Sequence, residues 1–217
     1  MPDVQRRRAM KAGVAMTVAA VTASPLRAQA EETNDLATQA LDGEPPGAEA
    51  ASRIFSAHME AELAGDLDKT LATMSENPHI VNIPTMIGGQ GVEGVRTFYA
   101  NRLIGQFFPP DAKFETISRT VTTERLIDEL IISFTHTMQM DHILPGVRPT
   151  GKFVEAAFVV IVGIENGKVS YEHIHWDQAN VLVQLGLIDP SGLPVTGAGA
   201  VAKLRDPSIP DPFFGEG

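Results

Sequence analysis

The chain has 217 residues, 43% of them hydrophobic, and a formal net charge of −10 at pH 7. It contains no cysteine, which excludes disulfide bonds and thiolate chemistry. Nucleic-acid-binding proteins carry a basic patch or stripe, and this acidic sequence has none, so we expect no nucleic-acid partner. The same acidity disfavours anionic membrane surfaces.

The first thirty residues have the features of a cleaved export signal. A basic segment, RRRAMK, precedes the apolar residues 12–23, which are too few to span a bilayer, and Ala28-Gln29-Ala30 matches a cleavage site. The paired arginines resemble a twin-arginine signal, and the general secretion route stays open because Ala9 stands where a bulky apolar residue is usual. We predict a signal peptide over residues 1–30 and an exported, periplasmic protein without membrane insertion in its mature form.

The rest of the chain divides into a leader, one domain and an extension. Residues 31–47 are acidic and end in Pro-Pro-Gly, which predicts a flexible leader. Residues 48–188 are patterned and numerous enough for one hydrophobic core. Residues 189–217 are rich in Pro and Gly, which predicts an irregular extension with a helical turn near 198–204.

Hydrophobic periodicity predicts helices first and strands later in this domain. The spacing of Ile54, Phe55, Met59 and Leu63 is helical. The predicted elements are helices over 48–63, 67–74 and 92–108, a short strand over 79–86, a loop over 87–91, strands over 114–123, 126–142, 152–164 and 169–178, and a short helix over 180–186. Asn166-Gly167 predicts a tight hairpin between the last two strands. Helices on one face of a bent antiparallel sheet form an α+β fold, a cone whose mouth can hold a small ligand.

The last strand carries the main candidate site. Alternation places Tyr171, His173, His175 and Asp177 on one face, and two imidazoles, a phenol and a carboxylate can handle protons. We predict that this row faces the interior. A solvated strand face, with Asp177 as a cap or surface charge, is the alternative.

A second histidine lies on an apolar strand face. His136 stands between Phe134 and Met138, where it is either a satisfied core residue or the partner of His175 on a proton path. His142 lies near a turn and is expected to be exposed. Three further residues are predicted to be structural: His58, His79 and Tyr99, the last as helix core with a bonded hydroxyl.

A metal-dependent site is a further alternative. The side chains of His173 and His175 point the same way, and a carboxylate or His136 could complete a three-ligand set. No phosphate-binding glycine loop and no Gly-x-Ser-x-Gly elbow occur in the sequence.

These elements resemble the SnoaL-like group of the nuclear transport factor 2-like superfamily. The resemblance covers residues 48–187 and rests on Phe55 of the first helix, NPHIVNIP, GVRTFYANRL and the hairpin ENGKVSYEHIHWDQ. It implies a cone-shaped curved antiparallel sheet with N-terminal helices over its concave face, and pairing into a homodimer through the outer face, where Ile174 and Trp176 would lie. It also implies that Asp177 moves the proton and that His175 fits the histidine before the Trp-Asp pair.

Together these observations predict a cofactor-independent acid/base enzyme of the lyase or isomerase type. It would cyclise, dehydrate, isomerise or eliminate a small group from a small hydrophobic, preferably aromatic molecule. The alternatives are a non-catalytic ligand-binding or dimerisation module and a metal-dependent variant. The predicted catalytic residues are Asp177, His175 and His136, and the predicted substrate-binding residues are Tyr171, His173, Met138, Phe134 and Tyr99.

Overall fold

The computed structural model describes residues 47–213, so the predicted signal peptide and nearly all of the leader lie outside the described residues. The helices and strands are, in chain order, α1 Ala48–Leu63, α2 Leu67–Ala72, β1 Met74–Asn82, β2 Ile87–Gln90, α3 Gly91–Phe98, β3 Lys113–Val121, β4 Arg125–Thr135, β5 Phe153–Glu165, β6 Lys168–Trp176, α4 Gln178–Gln184 and α5 Gly199–Arg205. Within this part of the chain, no helix combines the length and the apolarity that crossing a membrane requires.

The six strands form one sheet in the order β2-β1-β6-β5-β4-β3. Neighbouring strands pair antiparallel except β1 and β6, which run parallel. The predicted α+β class is confirmed, with the difference that the sheet is mixed. The parallel pair is possible because the whole segment from β2 to β5 separates its two strands and returns the chain to the same end of the sheet.

The sheet has a helix-covered face and an outer face. Leu126 of β4 and Val162 of β5 pack with Phe55 of α1 and Phe98 of α3 in one core cluster on the helix-covered face. A second cluster on that face is rich in aromatic rings, and we call it the aromatic cluster; it includes Phe108, Phe134, Phe158 and Trp176. The outer face is partly covered by the C-terminal extension.

The extension is held to the outer face by an ion pair on each of two strands. Arg205 of α5 lies 2.7 Å from the carboxylate of Glu115 on β3 and 3.0 Å from that of Glu155 on β5. Beyond the end of β6, the side-chain amide of Gln184 takes the place of a neighbouring strand. Its oxygen accepts from the Glu155 N–H at 2.9 Å, and its nitrogen donates to the Glu155 carbonyl at 2.8 Å.

Local sequence signals account for several element boundaries. Asp66 and Asp177 cap α2 and α4, because each carboxylate accepts a hydrogen bond at 3.0 Å from a backbone N–H three residues later. Asn166 and Gly167 have φ angles of 51° and 73°, the left-handed conformation that a tight hairpin turn needs, as predicted.

Other boundaries differ from the prediction. The helix predicted over 92–108 is shorter, since its α-helical part ends at Phe98. One π-helical turn, Tyr99–Leu103, follows, and in it the Ile104 N–H donates to the Tyr99 carbonyl at 2.8 Å. The strand predicted over 126–142 ends at Thr135, since residues 136–151 fold into a loop whose Asp141 carboxylate accepts from the Gly146 N–H at 3.0 Å. The predicted loop 87–91 contains β2, and β1 starts five residues earlier than the predicted strand.

Candidate functional site

The side chains of β6 divide between the two faces in the opposite sense to the prediction. Trp176 is 8% exposed and stacks on Phe158 with ring centroids 5.4 Å apart, and Ile174 packs against both core clusters. The prediction that the row of imidazoles faces the interior is therefore wrong. An indole and a branched alkyl group bury more apolar area than imidazoles do, which selects this sidedness. Ile174 and Trp176 are correspondingly absent from the outer face, where a dimer interface was expected.

Tyr171 and His173 form an outer-face group with His79. The Nε2 atoms of His79 and His173 are 3.0 Å apart, and the Tyr171 ring stacks on His173 at 4.7 Å. Arg125 donates through Nε to the Tyr171 hydroxyl at 3.2 Å. Burial lowers the pKa of His173, and the charges of His79 and His175 lower it further. His79, Arg125 and Tyr171 also line a cavity of about 610 Å³ at the outer face.

His175 and Asp177 share a second cavity, of about 520 Å³, at the end of β6. Its wall also includes Phe158, Trp176 and Glu129. The Asp177 carboxylate accepts from the backbone N–H of Asn180 at 3.0 Å and from its side-chain amide at 2.8 Å, which is the capping role named as the alternative. The structure thus brings two of the three predicted catalytic residues together, and their catalytic roles stay predictions.

The third predicted catalytic residue, His136, lies elsewhere, buried on the helix-covered face. Its Nδ1 accepts from the Thr150 N–H at 3.3 Å, so the ring carries its proton on Nε2. That nitrogen is buried and has no hydrogen-bond partner among the described residues. Burial lowers the pKa of His136. Phe134 is buried in the aromatic cluster beside it, and Met138 packs against that cluster, as expected of an apolar lining.

His142 is 3% exposed, so the expectation of an exposed residue is wrong. The loop folds back and places the centroid of the His142 ring 6.0 Å from that of Phe107 and 5.6 Å from that of Phe108. Neither ring nitrogen has a partner with hydrogen-bond geometry in the described part of the chain. Burial lowers the pKa of His142 to about 4, against the opposing influence of the Arg102 backbone and the Asp141 carboxylate.

A buried polar cluster, which we call the His58 cluster, lies between the helices and β6 and comprises His58, Glu62, Tyr99 and Glu172. His58 Nε2 is 3.2 Å from Glu62 Oε1 and 3.4 Å from Glu172 Oε1. The Tyr99 hydroxyl donates to Glu62 and lies 3.2 Å from His58 Nε2. All four residues are at most 6% exposed.

Electrostatics in the His58 cluster are dominated by burial and by the two carboxylates. Burial by itself would lower the pKa of His58, but Glu62 and Glu172 raise it to about 10. Burial raises the pKa of Tyr99 and of Glu172, and the charge of Glu62 adds to both effects. The prediction of Tyr99 as helix core with a bonded hydroxyl is confirmed by its complete burial and its bond to Glu62.

The His58 cluster was not predicted from the sequence, although α1 contained a signal for it. His58 and Glu62 are four residues apart, and both lie near the face that carries Phe55, so a helix directs them together toward the core. Glu172 gave no such signal, because a glutamate among polar residues on a strand is normally exposed.

Comparison with known proteins identifies the fold. No family model and no curated protein matches the sequence. Among solved structures, a protein provisionally described as a SnoaL-like polyketide cyclase from Jannaschia sp. CCS1 superposes with a TM-score of 0.54 at 15% identity, over 67% of this chain and 98% of the other. IdmH from Streptomyces antibioticus, provisionally a polyketide cyclase, gives 0.47 at 20% identity over 62% and 97%. AclR from Streptomyces galilaeus, provisionally a hydroxylase, gives 0.48 at 19% identity over 66% and 88%.

The first of these similarities extends over nearly the whole of the other protein and over two thirds of this chain. The chain therefore has the fold of the SnoaL-like proteins of the nuclear transport factor 2-like superfamily.

Proposed function

We propose that this protein is an acid/base enzyme that acts on a small aromatic molecule without an organic cofactor, in a cyclisation or isomerisation type of reaction. The observation that carries the proposal is the pair of buried imidazoles, His136 and His142, beside the aromatic cluster. Three of their four ring nitrogens have no partner with full hydrogen-bond geometry among the described residues. Because buried polar atoms are normally hydrogen-bonded, these nitrogens are expected to meet polar atoms of a bound molecule.

The tautomer of His136 gives it a role. Its Nε2–H would donate to a carbonyl or phenolic oxygen of the substrate and stabilise the negative charge that develops there. His142, whose pKa of about 4 keeps it neutral at pH 7, would accept the proton from the neighbouring carbon. A positioned acid or base of this kind contributes roughly 10²–10⁴-fold to the rate.

The surroundings favour an aromatic substrate. The rings of Phe107 and Phe108 flank His142, and Phe134, two residues before His136, belongs to the same aromatic cluster as Phe108. The cavity of about 520 Å³ lies on the outer face, because the paired residues Glu129, Val159 and His175 of β4, β5 and β6 line it. His175 and Asp177 line this outer-face cavity, which makes it the competing location for the catalytic base.

Deuterium exchange into an enolisable aromatic ketone tests the proposal. We expect the wild-type protein in D₂O to speed exchange at the carbon next to the carbonyl of 2-tetralone, as followed by NMR. Replacing His136 with Gln (His136→Gln) is expected to slow that exchange by at least about 100-fold, because the oxygen loses its donor. Asp206→Asn, at an exposed turn of the C-terminal extension, serves as the control.

The two locations give different results. Asp177→Asn leaves exchange intact if His136 and His142 do the chemistry. Loss of exchange in Asp177→Asn with full exchange in His136→Gln would instead assign the base to the outer-face cavity. A wild-type protein that binds such ketones in a thermal-shift assay but exchanges no deuterium would favour the non-catalytic ligand-binding module.

Export and assembly complete the proposal. The predicted signal peptide over residues 1–30 implies a periplasmic location, which is tested by fractionating cells that express the chain. A homodimer is tested by light scattering of the purified protein, with the outer sheet face as the surface available for pairing.

A further inference from the structure

We propose that His58, Glu62 and Glu172 form a binding site for a divalent first-row transition-metal ion such as Zn²⁺. Donor atoms of these three residues, one from each, lie within 4.8 Å of one another in the buried interior. The site lies on α1 and β6, apart from the imidazoles of the proposed acid/base function, and goes beyond it.

The tautomer of His58 is the first argument. The Thr73 hydroxyl donates its single proton to the Thr70 carbonyl at 2.6 Å, so it can only accept from His58 Nδ1, which lies 2.6 Å away. His58 therefore keeps a proton on Nδ1, and the proton on Nε2, which the two carboxylates hold in the metal-free protein, is the one that a metal ion would displace to reach the Nε2 lone pair. A metal-bound histidine is oriented in the same way, by a hydrogen bond from its other nitrogen.

The distances are the second argument. His58 Nε2 lies 3.2 Å from Glu62 Oε1 and 3.4 Å from Glu172 Oε1. A charge-assisted N–H···O bond would be about 2.7–2.9 Å long, so both separations are long for a shared proton. Two ligands of a tetrahedral ion at bond lengths of about 2.0–2.1 Å are about 3.3–3.4 Å apart, which matches both separations.

The surroundings of Glu172 Oε1 also fit a metal ion. This oxygen is buried, and no contact with hydrogen-bond geometry reaches it among the described residues, its ion-pair partner His58 Nε2 being 3.4 Å away. A buried carboxylate oxygen without a partner is costly, and coordination to a cation would remove that cost. A neutral imidazole, two carboxylates and one divalent ion also sum to zero net charge, so the occupied site would bury no uncompensated charge.

Metal binding to the chelator-treated, dialysed protein tests the proposal. We expect Zn²⁺ to bind with a stoichiometry of one per chain by isothermal titration calorimetry, and Co²⁺ to give the visible bands of a four- or five-coordinate ion. Glu172→Gln, which keeps the shape and removes the charge, is expected to weaken Zn²⁺ binding by at least about 100-fold. Circular dichroism establishes that the variant is folded, and Glu62→Gln replaces it if it is not.

The outer-face imidazoles supply the matched control. His79 and His173 could also capture Zn²⁺, because their Nε2 atoms are 3.0 Å apart. Under the proposal, His79→Gln retains the stoichiometric ion and its Co²⁺ spectrum. No stoichiometric Zn²⁺, no Co²⁺ bands, or binding lost in His79→Gln and kept in Glu172→Gln would each overturn it. All of these experiments measure metal binding and spectra. A negative result would therefore overturn the metal site without bearing on the acid/base function, which the exchange assay tests.

Discussion

The imidazole of His142 makes stability depend on pH. Its pKa is about 4 in the folded protein against 6.5 for an ordinary histidine, so the unfolded chain takes up a proton first as the pH falls. The contribution of this ring to the free energy of unfolding is therefore constant above about pH 6.5. It falls as the pH drops from about 6.5 to 4, and it is constant again at lower pH. The difference between the two pKa values corresponds to about 3 kcal/mol of unfolding free energy.

We therefore expect urea unfolding to show a fall in stability from pH 7 to pH 4 that is smaller in His142→Gln by about that amount. Carboxylates contribute to the slope of both proteins, so the difference between them isolates the imidazole. Equal slopes would mean that His142 is solvated in solution.

At the scale of one element, β6 illustrates what alternation can and cannot predict. The period of two correctly separated Tyr171, His173 and His175 from Ile174 and Trp176. It did not predict which set packs against the helices, because alternation determines which residues share a face and does not determine which face is buried. The apolar bulk of Trp176 was the better guide, and the chemistry of the imidazoles misled the prediction.

The overall helix and strand order was predictable because hydrophobic periodicity is local, whereas the His58 cluster joins residues more than 100 positions apart.

The pairing of β5 with β6 gives a steric prediction. A Cβ added at Gly163 would lie 2.1 Å from the Tyr171 ring, which is held by stacking on His79 and His173 and by Arg125. Gly163→Ala is expected to cost about 1–3 kcal/mol of stability, since the ring must be displaced. In a thermal or urea denaturation series, Tyr171→Ala should restore much of this loss in the double variant. Additive losses would show that the clash is relieved in another way.

At the scale of the whole molecule, Asn180 joins the C-terminal extension to the domain. Its side-chain oxygen accepts from the backbone N–H groups of Thr196 at 2.9 Å and Gly197 at 2.7 Å. The boundary predicted at residue 188 therefore marks a change in amino-acid composition. It is not a structural boundary, because hydrogen bonds connect the residues on its two sides. The extension packs on the domain as far as α5, because Val201 of α5 is also 1% exposed.

Asn180→Ala is expected to destabilise the protein by about 1–3 kcal/mol, because two backbone donors lose their acceptor. Limited proteolysis should then cut the extension before the sheet. Asp206→Asn, at an exposed turn, is the matched control. Protease resistance equal to wild type in Asn180→Ala would mean that Arg205 and Val201 suffice to hold the extension.

The side-chain amide of Gln184 protects the protein against aggregation at high concentration. Where β6 ends, the continuing edge of β5 would expose a peptide group that a foreign strand could use as a template. The amide already occupies both hydrogen-bonding positions of Glu155, so growth of the sheet by intermolecular strand addition is blocked there. A leucine in its place would leave a bare edge and a protein more prone to fibril formation.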